Sequence, residues 1–238
     1  MARRIKALHQ ESRGTYGSPR VYLALRRKGI RVGKKRVERL MRSSGLQGRF
    51  VKVTRTPGLK YFKAEGENLR LQAPEVTGLN QQWVADVTYI KVKGRWFYLA
   101  TVMDVYSRRI LGWSLDTTRT TALTLSALRY ALKGRRPEKD MIFHTDRGIE
   151  FAAFRFQDKL QKHGIRPSLN RPGHCTDNAH MESFFHSLKV ELIRGRKFNC
   201  EQELRSSLNS YINQFYNHKR LHSGIGYYSP AEYEKLTT

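Results

Sequence analysis

Three strand-like runs follow one another in the middle of the chain, and no other sequence feature constrains the fold as strongly. The runs at 82–92 and 96–104 are rich in β-branched and aromatic residues and are separated by the turn pair Lys93-Gly94. A third run, RRILGWSL at 108–115, follows closely. Strands joined by short turns pair as antiparallel neighbours, so the sequence predicts an antiparallel meander of three strands.

Helical and strand-like segments alternate after this meander. Such alternation is typical of crossover units, which add parallel strands to a sheet and place helices on its faces. The pattern therefore predicts an α/β fold in which a mixed sheet carries helices on both faces. The predicted helices span 117–132, 150–163, 178–194 and 201–217, and the predicted strands span 141–143 and 165–169.

Positive charge is concentrated at the start of the chain. Residues 1–63 contain 19 Lys and Arg but only Glu11 and Glu38 as acids, so they carry +17 of the net charge of +25. An excess of this size indicates a polyanionic partner, most often nucleic acid and less often an anionic membrane surface. No stretch approaches the roughly 20 apolar residues of a membrane-spanning helix, and the start lacks a secretion signal, so we expect a cytoplasmic protein without membrane contact.

Three short helices are predicted in this basic region. Periodic apolar residues place them at about 2–13, 18–29 and 33–44, and Ser18 is expected to cap the second helix. Together they form a helix-turn-helix-like unit, for which the alternative is a solvated basic hairpin that contacts no groove. The high charge favours contact with DNA phosphates. The cations expected to make that contact are Lys34, Lys35, Arg36 and Arg39.

The difference in charge divides the chain into two parts. Glycine and proline interrupt every periodic pattern between residues 52 and 79, so this segment is predicted to be a linker. It separates a small basic DNA-binding domain over 1–51 from a more balanced main domain over 80–238. The main domain is long enough to bury its own hydrophobic core.

Acids are scarce in the main domain, and three of them occupy informative positions. Asp86 lies in the middle of the first strand-like run, where a buried carboxylate is costly without a partner. Asp146 directly follows a strand-like run, at the strand end where open α/β sheets bind ligands, and Glu182 lies one turn into a predicted helix. If the three converge, their oxygens suit two hard cations such as Mg²⁺ or Mn²⁺.

Each of these acids also has a purely structural interpretation. Asp86 fits a buried acid paired with an arginine, and Asp146 fits a turn former before Arg147-Gly148. Glu182 fits a first-turn acid that the helix dipole stabilises. The combined arrangement, rather than any one position, therefore carries the prediction of a metal site.

Three sequence motifs around these acids resemble those of a known family. WVADVTYI at 83–90, HTDRGIEF at 144–151 and DNAHMESFFHSLKVE at 177–191 resemble the catalytic motifs of bacterial insertion-sequence transposases. The resemblance is to the second-frame (OrfB) products, whose catalytic domain is similar to that of retroviral integrases. The 35 residues between the second and third acids match the spacing of the Asp-Asp-Glu type. YNHKRLHSGIGYYSPAEYE at 216–234 resembles the family's C-terminal signature.

The resemblance implies a fold, a reaction and partners. The fold would be a ribonuclease-H-like, mixed five-stranded sheet, and Asp86, Asp146 and Glu182 would bind two Mg²⁺ or Mn²⁺ ions per active site. Water and then the freed 3′-hydroxyl would attack DNA phosphodiesters in line, cutting the element ends and joining them to target DNA. A homo-oligomer would pair the ends of double-stranded DNA on the bacterial nucleoid. The upstream-frame protein, or a frameshift fusion with it, is a further expected partner.

Further residues gain expected roles from the same motifs. His186 and Lys189 stand four and seven positions after the glutamate, on the same helical face, and are expected to contact DNA phosphate. Asn178 is expected to position the loop or a phosphate, and Asp177 to cap the helix. Asp104 is expected to have a structural role, paired with Arg108 or Arg109.

Two other functions are compatible with the sequence. One is a DNA-binding regulator or architectural protein in which the basic helices carry all the function. The other is a ribonuclease-H-type nuclease that cuts but does not join strands. A joined DNA product distinguishes transposition from both.

Overall fold

A mixed five-stranded sheet lies at the centre of residues 1–49 and 66–237, the part of the chain that the computed structural model describes. The strand order is β3-β2-β1-β4-β5. The first three strands form the predicted antiparallel meander, and the last two run parallel to β1. The strands are β1 (Gln82–Val92), β2 (Arg95–Asp104), β3 (Ile110–Asp116), β4 (Ile142–Thr145) and β5 (Arg166–Leu169).

A two-residue turn fixes the register of the central hairpin. Lys93 and Gly94 have φ values of +46° and +83°, and Val92 pairs with Arg95. Positive φ at both central residues is characteristic of the turn whose twist matches that of antiparallel strands. The same register places Asp86 opposite Thr101, in the middle of the sheet.

Helices cover both faces of the sheet because the side chains of β1 alternate between two cores. Trp83 and Ala85 pack with the helices of one face, and Val84 and Ile90 pack with those of the other. The first face is covered by α4 (Thr121–Gly134), α5 (Ile149–Ala152) and α6 (Phe154–Gln161), and the second by α7 (Ala179–Leu188) and α8 (Glu201–Asn209). The predicted α/β class and its layers are confirmed.

Helix α4 lies directly on the backbone of β3. A Cβ atom at Gly112 would lie 2.2 Å from the Ala127 carbonyl oxygen and 2.6 Å from the Ala131 nitrogen. Only glycine permits so close an approach of helix and strand. The contact fixes the position of α4 over the antiparallel half of the sheet.

The three N-terminal helices pack against the C-terminal part of the chain. Tyr16 joins the two parts: its hydroxyl donates to the Lys219 carbonyl at 3.0 Å and accepts from the Leu221 amide at 2.8 Å. Apolar residues of these helices share one core with the segment around Tyr211 and Phe215. The helices are α1 (Ala2–Glu11), α2 (Ser18–Arg27) and α3 (Lys34–Ser43).

Some predicted boundaries differ from the observed ones. Ser18 was expected to cap α2, but it is the first helical residue and Gly17 holds the cap position. The helix predicted at 150–163 is divided at Ala153 into α5 and α6, because that residue has an extended ψ of 137°. The domain boundary at 51/52 and the linker residues 52–65 lie outside the described residues.

The long helices predicted in the last third of the chain change their winding. Helix α7 continues as a π-helix over Lys189–Ile193, and α8 continues as a π-helix over Ser210–Tyr216. A last helix, α9 (Pro230–Thr237), completes the described part. Among the helices seen in residues 1–49 and 66–237, none combines the length and apolar character needed to cross a membrane.

Candidate active site

The three predicted acids line one cavity. Its volume is about 130 Å³, and it lies where the middle of β1, the end of β4 and the start of α7 meet. Asp86, Asp146 and Glu182 come from these three different elements, so the fold brings together side chains that are far apart in the sequence. The other lining residues are Arg147, Asn170, Arg171, His174 and Asn178.

Asp86 is a carboxylate without a neutralising partner. Its Oδ1 accepts a hydrogen bond from the Val87 amide at 2.7 Å, and no salt bridge to it is found across residues 1–49 and 66–237. Burial, together with the negative charge of Asp146, raises the pKa of Asp86 well above its usual range. The pairing with an arginine considered above is therefore absent from the described part of the chain.

Asp146 lies at the centre of a second cluster of charges. Its Oδ1 accepts from the Gly148 amide at 3.0 Å, and its Oδ2 lies 3.7 Å from Arg119 Nη2. Burial and the negative charge of Glu150 raise the pKa of Asp146. A Cβ atom at Gly148 would lie 2.9 Å from Asp146 Oδ1 and 2.7 Å from Glu150 Oε1, so a larger residue there would have to displace the two carboxylates.

Glu150 and Arg119 are parts of this cluster that the sequence did not reveal. Glu150 is buried and accepts from Arg119, whose Nη2 lies 2.6 Å from Glu150 Oε1. The position of Glu150 four residues after Asp146, within the second motif, was the one available indication. Arg119 precedes α4, and nothing in its local sequence links it to the acids. Because Arg119 pairs mainly with Glu150, its positive charge neutralises Asp146 only weakly.

Glu182 and the two basic residues after it lie at different depths. Glu182 and His186 are exposed on α7, whereas Lys189 is half-buried at the start of the π-helical segment. The Lys189 ammonium lies 4.8 Å from the ring centre of Tyr89 on β1. Burial lowers the pKa of Lys189, and the charge of Asp86 opposes this shift. Lys189 is therefore close to the carboxylates, although it does not line their cavity.

Asn178 joins helix α7 to β1 beside the first acid. The side chain is buried, and its Nδ2 donates to the Ala85 carbonyl at 3.0 Å. Its Oδ1 is buried and has no hydrogen-bond partner in the described part of the chain. Asp177 does not cap the helix as predicted, because its carboxylate instead accepts hydrogen bonds from Arg171 and Asn68.

The donor set of the cavity fits a hard divalent cation. Asp146 is close enough to raise the pKa of Asp86, and Asn178, whose buried Oδ1 has no partner among the described residues, lines the same cavity. Carboxylate and amide oxygens are the ligands that Mg²⁺ and Mn²⁺ prefer. Within residues 1–49 and 66–237, no three acidic, histidine or cysteine side chains are close enough to form a ready-made metal site. The acids share a cavity without forming a closed ligand set.

His144 stabilises the sheet next to this cavity without adding charge. It is fully buried on β4, and its ring nitrogens lie 2.8 Å from Ser168 Oγ and 2.7 Å from Asn170 Oδ1. Burial is the main cause that lowers the pKa of His144 to about 4. The imidazole is therefore neutral at physiological pH and aligns β4 with β5.

Asp104 has the structural role expected of it, but with other partners. Its buried carboxylate accepts from the Asn80 amide at 2.8 Å and from the Ser107 amide at 3.0 Å. It pairs with neither Arg108 nor Arg109, because Arg109 reaches Glu234 on α9 instead. Asp104 does not line the cavity of the three acids.

The third N-terminal helix presents its cations to solvent. Val37 and Met41 are buried on one side of α3, which leaves the remaining faces free. The four residues predicted to contact DNA are all exposed on this helix: Lys34, Lys35, Arg36 and Arg39. Their exposure makes them accessible to a polyanion.

Three protein-family models match separate parts of the chain. Residues 77–175 and 182–237 each match a family described as Integrase core domain. Residues 1–53 match a family described as HTH-like domain. The predicted ribonuclease-H-like core with a preceding helix-turn-helix-like unit is thereby confirmed as the fold class.

Curated relatives match over almost the whole chain. Transposase InsF for insertion sequence IS3A of Escherichia coli (strain K12) is 38% identical over 234 residues, which cover 97% of this chain and 80% of that protein. The transposase for insertion sequence element IS904 of Lactococcus lactis subsp. lactis (strain IL1403) is 36% identical over 243 residues, covering 100% and 94%.

A solved structure shares the fold. The cryoEM structure of the simian T-cell lymphotropic virus intasome in complex with PP2A regulatory subunit B56 gamma contains a chain that matches with a TM-score of 0.55. The match covers 97% of this chain and 74% of that chain at 17% sequence identity. At this identity the likeness concerns the fold alone.

Proposed function

We propose that this chain, which belongs to the insertion-sequence transposases with an integrase core domain, uses Asp86, Asp146 and Glu182 as its catalytic carboxylates. As a transposase it cleaves DNA and transfers strands. The observation that carries the proposal is the cavity that these acids share, at the end of β4 and the start of α7. The arrangement is of the Asp-Asp-Glu type.

The chain's own residues would hold two divalent cations and align the DNA. Asp86, Asp146 and Glu182, with the unpartnered oxygen of Asn178, would bind Mg²⁺ or Mn²⁺. When bound, the cations would neutralise the charge that develops during an in-line displacement at a phosphodiester. Asn178 keeps α7 against β1, so Glu182 and Asp86 stay at the same cavity. No covalent bond between protein and DNA is required.

Basic residues around the cavity would position the phosphodiester. Lys189 lies beside Tyr89, close to Asp86, and is suited to contact a DNA phosphate there. His186 would make a weaker contact of the same kind from its exposed position on α7. The Arg119–Glu150 pair would limit the positive charge around Asp146, leaving that carboxylate free to bind a cation.

The domain organisation and partners belong to the same proposal. Residues 1–51 would be the DNA-binding domain, 52–79 the linker, and 80–238 the catalytic domain. A homo-oligomer would hold two ends of double-stranded DNA and a target, because each end needs an active site. The upstream-frame protein, or a fusion with it, is a further candidate partner. The setting would be the bacterial cytoplasm, in association with the nucleoid.

Metal-dependent cutting and joining of DNA is the experiment that tests this function. A labelled duplex that carries an element end is incubated with the protein and Mg²⁺ or Mn²⁺. We expect nicked and joined products, and none with EDTA, because unneutralised carboxylates repel DNA phosphate. Nicks without joined product would favour a ribonuclease-H-type nuclease. DNA binding without any cleavage would favour a regulator and contradict the proposal.

Replacing the four exposed cations of α3 by glutamine should weaken DNA binding. The four are Lys34, Lys35, Arg36 and Arg39. If each neutralises one phosphate, the slope of log affinity against log salt should fall by about 3.6, from 0.9 per contact. Fluorescence anisotropy in a series of KCl concentrations measures the slope.

A matched control carries the same change in charge on another surface. The glutamine variant of the exposed residues Arg129, Lys133, Arg136 and Lys139 should retain most of the wild-type slope. Equal losses in the two variants would mean that α3 contributes only to overall charge.

A further inference from the structure

A second cavity lies on another face of helix α7. Its volume is about 330 Å³, and it shares no lining residue with the cavity of the three acids. Ser183 and Ser187 line it, one helical turn apart, whereas Glu182 lines the other cavity. Its walls also come from α2, the β2–β3 turn and the segment after Tyr216. Three arginines line it, Arg20, Arg108 and Arg220, and we call it the arginine cavity.

Two of the three guanidinium groups have no anionic partner. Arg220 is neutralised by Glu191, with Arg220 Nη2 2.8 Å from Glu191 Oε1. No carboxylate within ion-pairing distance of Arg20 or Arg108 is found in the described ranges. Arginine stays protonated in proteins, so the cavity holds two positive charges that Glu191 and Asp104 offset only beyond ion-pairing distance. Both side chains are half-buried, which makes this imbalance costly.

His222 adds an unpartnered polar atom to the same cavity. Its Nε2 is buried and has no hydrogen-bond partner among the described residues. Burial and the charges of the three arginines lower the pKa of His222 well below its usual range, so the ring is neutral. A neutral imidazole offers one N–H donor, and the Ser183 and Ser187 hydroxyls offer others. The cavity therefore combines two free cations with several neutral donors.

The backbone at Arg108 is held in an unfavourable conformation. Its φ is +63°, in the left-handed region that residues with a side chain rarely adopt. The Arg108 amide donates to the Asp104 carbonyl at 2.9 Å, which fixes the turn between β2 and β3. Conformations of this kind persist where surrounding structure enforces them, and they cluster at binding sites. Here the result is a guanidinium group directed to the arginine cavity.

We propose that the arginine cavity binds a backbone phosphate of DNA, outside the candidate active site. Paired guanidinium groups with hydroxyl donors are the chemistry that recognises a phosphate. The volume of about 330 Å³ is at the lower end of cavities for small ligands, and suits a phosphate with its sugar. The proposal rests on the proposed function, since it assumes that DNA is the substrate. DNA bound at both the candidate active site and the arginine cavity would contact two faces of α7, one of which carries Glu182.

Chemical footprinting of the wild-type protein tests this proposal without any variant. Phenylglyoxal modifies accessible arginines, and mass spectrometry measures the rate at each site, in EDTA so that no cleavage occurs. We expect a duplex oligonucleotide to slow modification of Arg20 and Arg108 at least tenfold, and of the exposed Arg129 on α4 much less. Inorganic phosphate and a deoxynucleoside monophosphate are the comparison probes. Absence of protection by the duplex, or equal protection by either probe, would overturn the assignment to DNA.

A double variant gives an independent measurement. Arg20→Gln with Arg108→Gln should lower the salt slope of duplex binding by about 0.9, which corresponds to the loss of one phosphate contact. The matched control, Arg129→Gln with Arg136→Gln, lies outside residues 1–51 and should keep the wild-type slope. Thermal melting checks that both variants are folded. An unchanged slope in a folded double variant would refute the proposal, as would an equal loss in the control.

These outcomes are separable from a failure of the proposed function. If the chain does not cut DNA, wild-type cleavage with Mg²⁺ is absent, whereas footprinting and salt slopes, measured in EDTA, are unaffected. If only the arginine cavity is misassigned, wild-type cleavage remains and the two binding measurements show no effect at Arg20 and Arg108.

Discussion

Asp86→Asn is expected to abolish DNA cleavage, with a loss of about 10³-fold or more. The amide keeps the shape of the side chain but removes the negative charge that would bind a cation. The same substitution should stabilise the metal-free protein, because it removes a carboxylate whose pKa is raised by burial and by Asp146. Cleavage of a labelled duplex and thermal melting in EDTA measure the two effects.

The stability effect of Asp86→Asn depends on pH in a direction that follows from the raised pKa of Asp86. A carboxyl group whose pKa is higher in the folded than in the unfolded state destabilises the fold once it is ionised. The cost is present above the folded-state pKa and disappears as the pH falls below its unfolded value. The melting temperature of the Asp86→Asn variant should therefore exceed that of the wild type at neutral pH, and the difference should shrink in acid.

Asp104→Asn is the matched control for this prediction. Asp104 is also an aspartate of the sheet, but it lies outside the cavity of the acids. Its carboxylate accepts hydrogen bonds from the Asn80 and Ser107 amides. The variant should retain measurable cleavage, because Asp104 does not line the cavity of the three acids. Equal losses of cleavage in the two variants would contradict the assignment of Asp86.

Glu191→Gln is expected to cost about 3–5 kcal/mol of unfolding free energy. Glu191 accepts from Arg220 Nε at 2.9 Å and from the Tyr211 hydroxyl at 2.7 Å. The Glu191 and Arg220 side chains are only 5% and 6% exposed, so the variant leaves a buried guanidinium charge without its counter-ion. Urea denaturation followed by tryptophan fluorescence measures the loss.

The comparison pair for this variant lies on the surface. Glu38 and Arg42 are 57% and 81% exposed on α3, and their side chains are 3.1 Å apart. Glu38→Gln should change stability by no more than about 0.5 kcal/mol, because solvent screens an exposed pair. If both glutamine variants lost equal stability, burial would not be the reason that the first pair matters.

The sheet was predictable because its determinants are local. The alternation of β1, the turn at Lys93-Gly94 and the alternating helices and strands each depend on neighbouring residues. Two helical irregularities were not predictable, because they depend on packing against the rest of the molecule. They are the break at Ala153 and the change of α7 and α8 to π-helix. Ser18 illustrates the same limit. Its residue type favours the cap position, but the preceding residue, Gly17, holds that position.

The candidate site was predictable only in part. Asp86, Asp146 and Glu182 were identified from their motifs and do line one cavity, while their role as ligands stays a prediction. Glu150 and Arg119 were missed because their contact joins segments that are 31 positions apart. The arginine cavity was missed for a similar reason: its charges come from α2, a turn and the C-terminal segment, and no local pattern connects them.

The docking of the first helices on the last part of the chain has a consequence for biosynthesis. Tyr16 and its partner Lys219 are 203 positions apart, so a ribosome adding about 5–20 residues per second needs about 10–40 s between them. During that interval the nascent basic helices lack their contacts with the segment around Tyr211 and Phe215. The first helices of this transposase would thus complete their packing only after residue 221 has been synthesised.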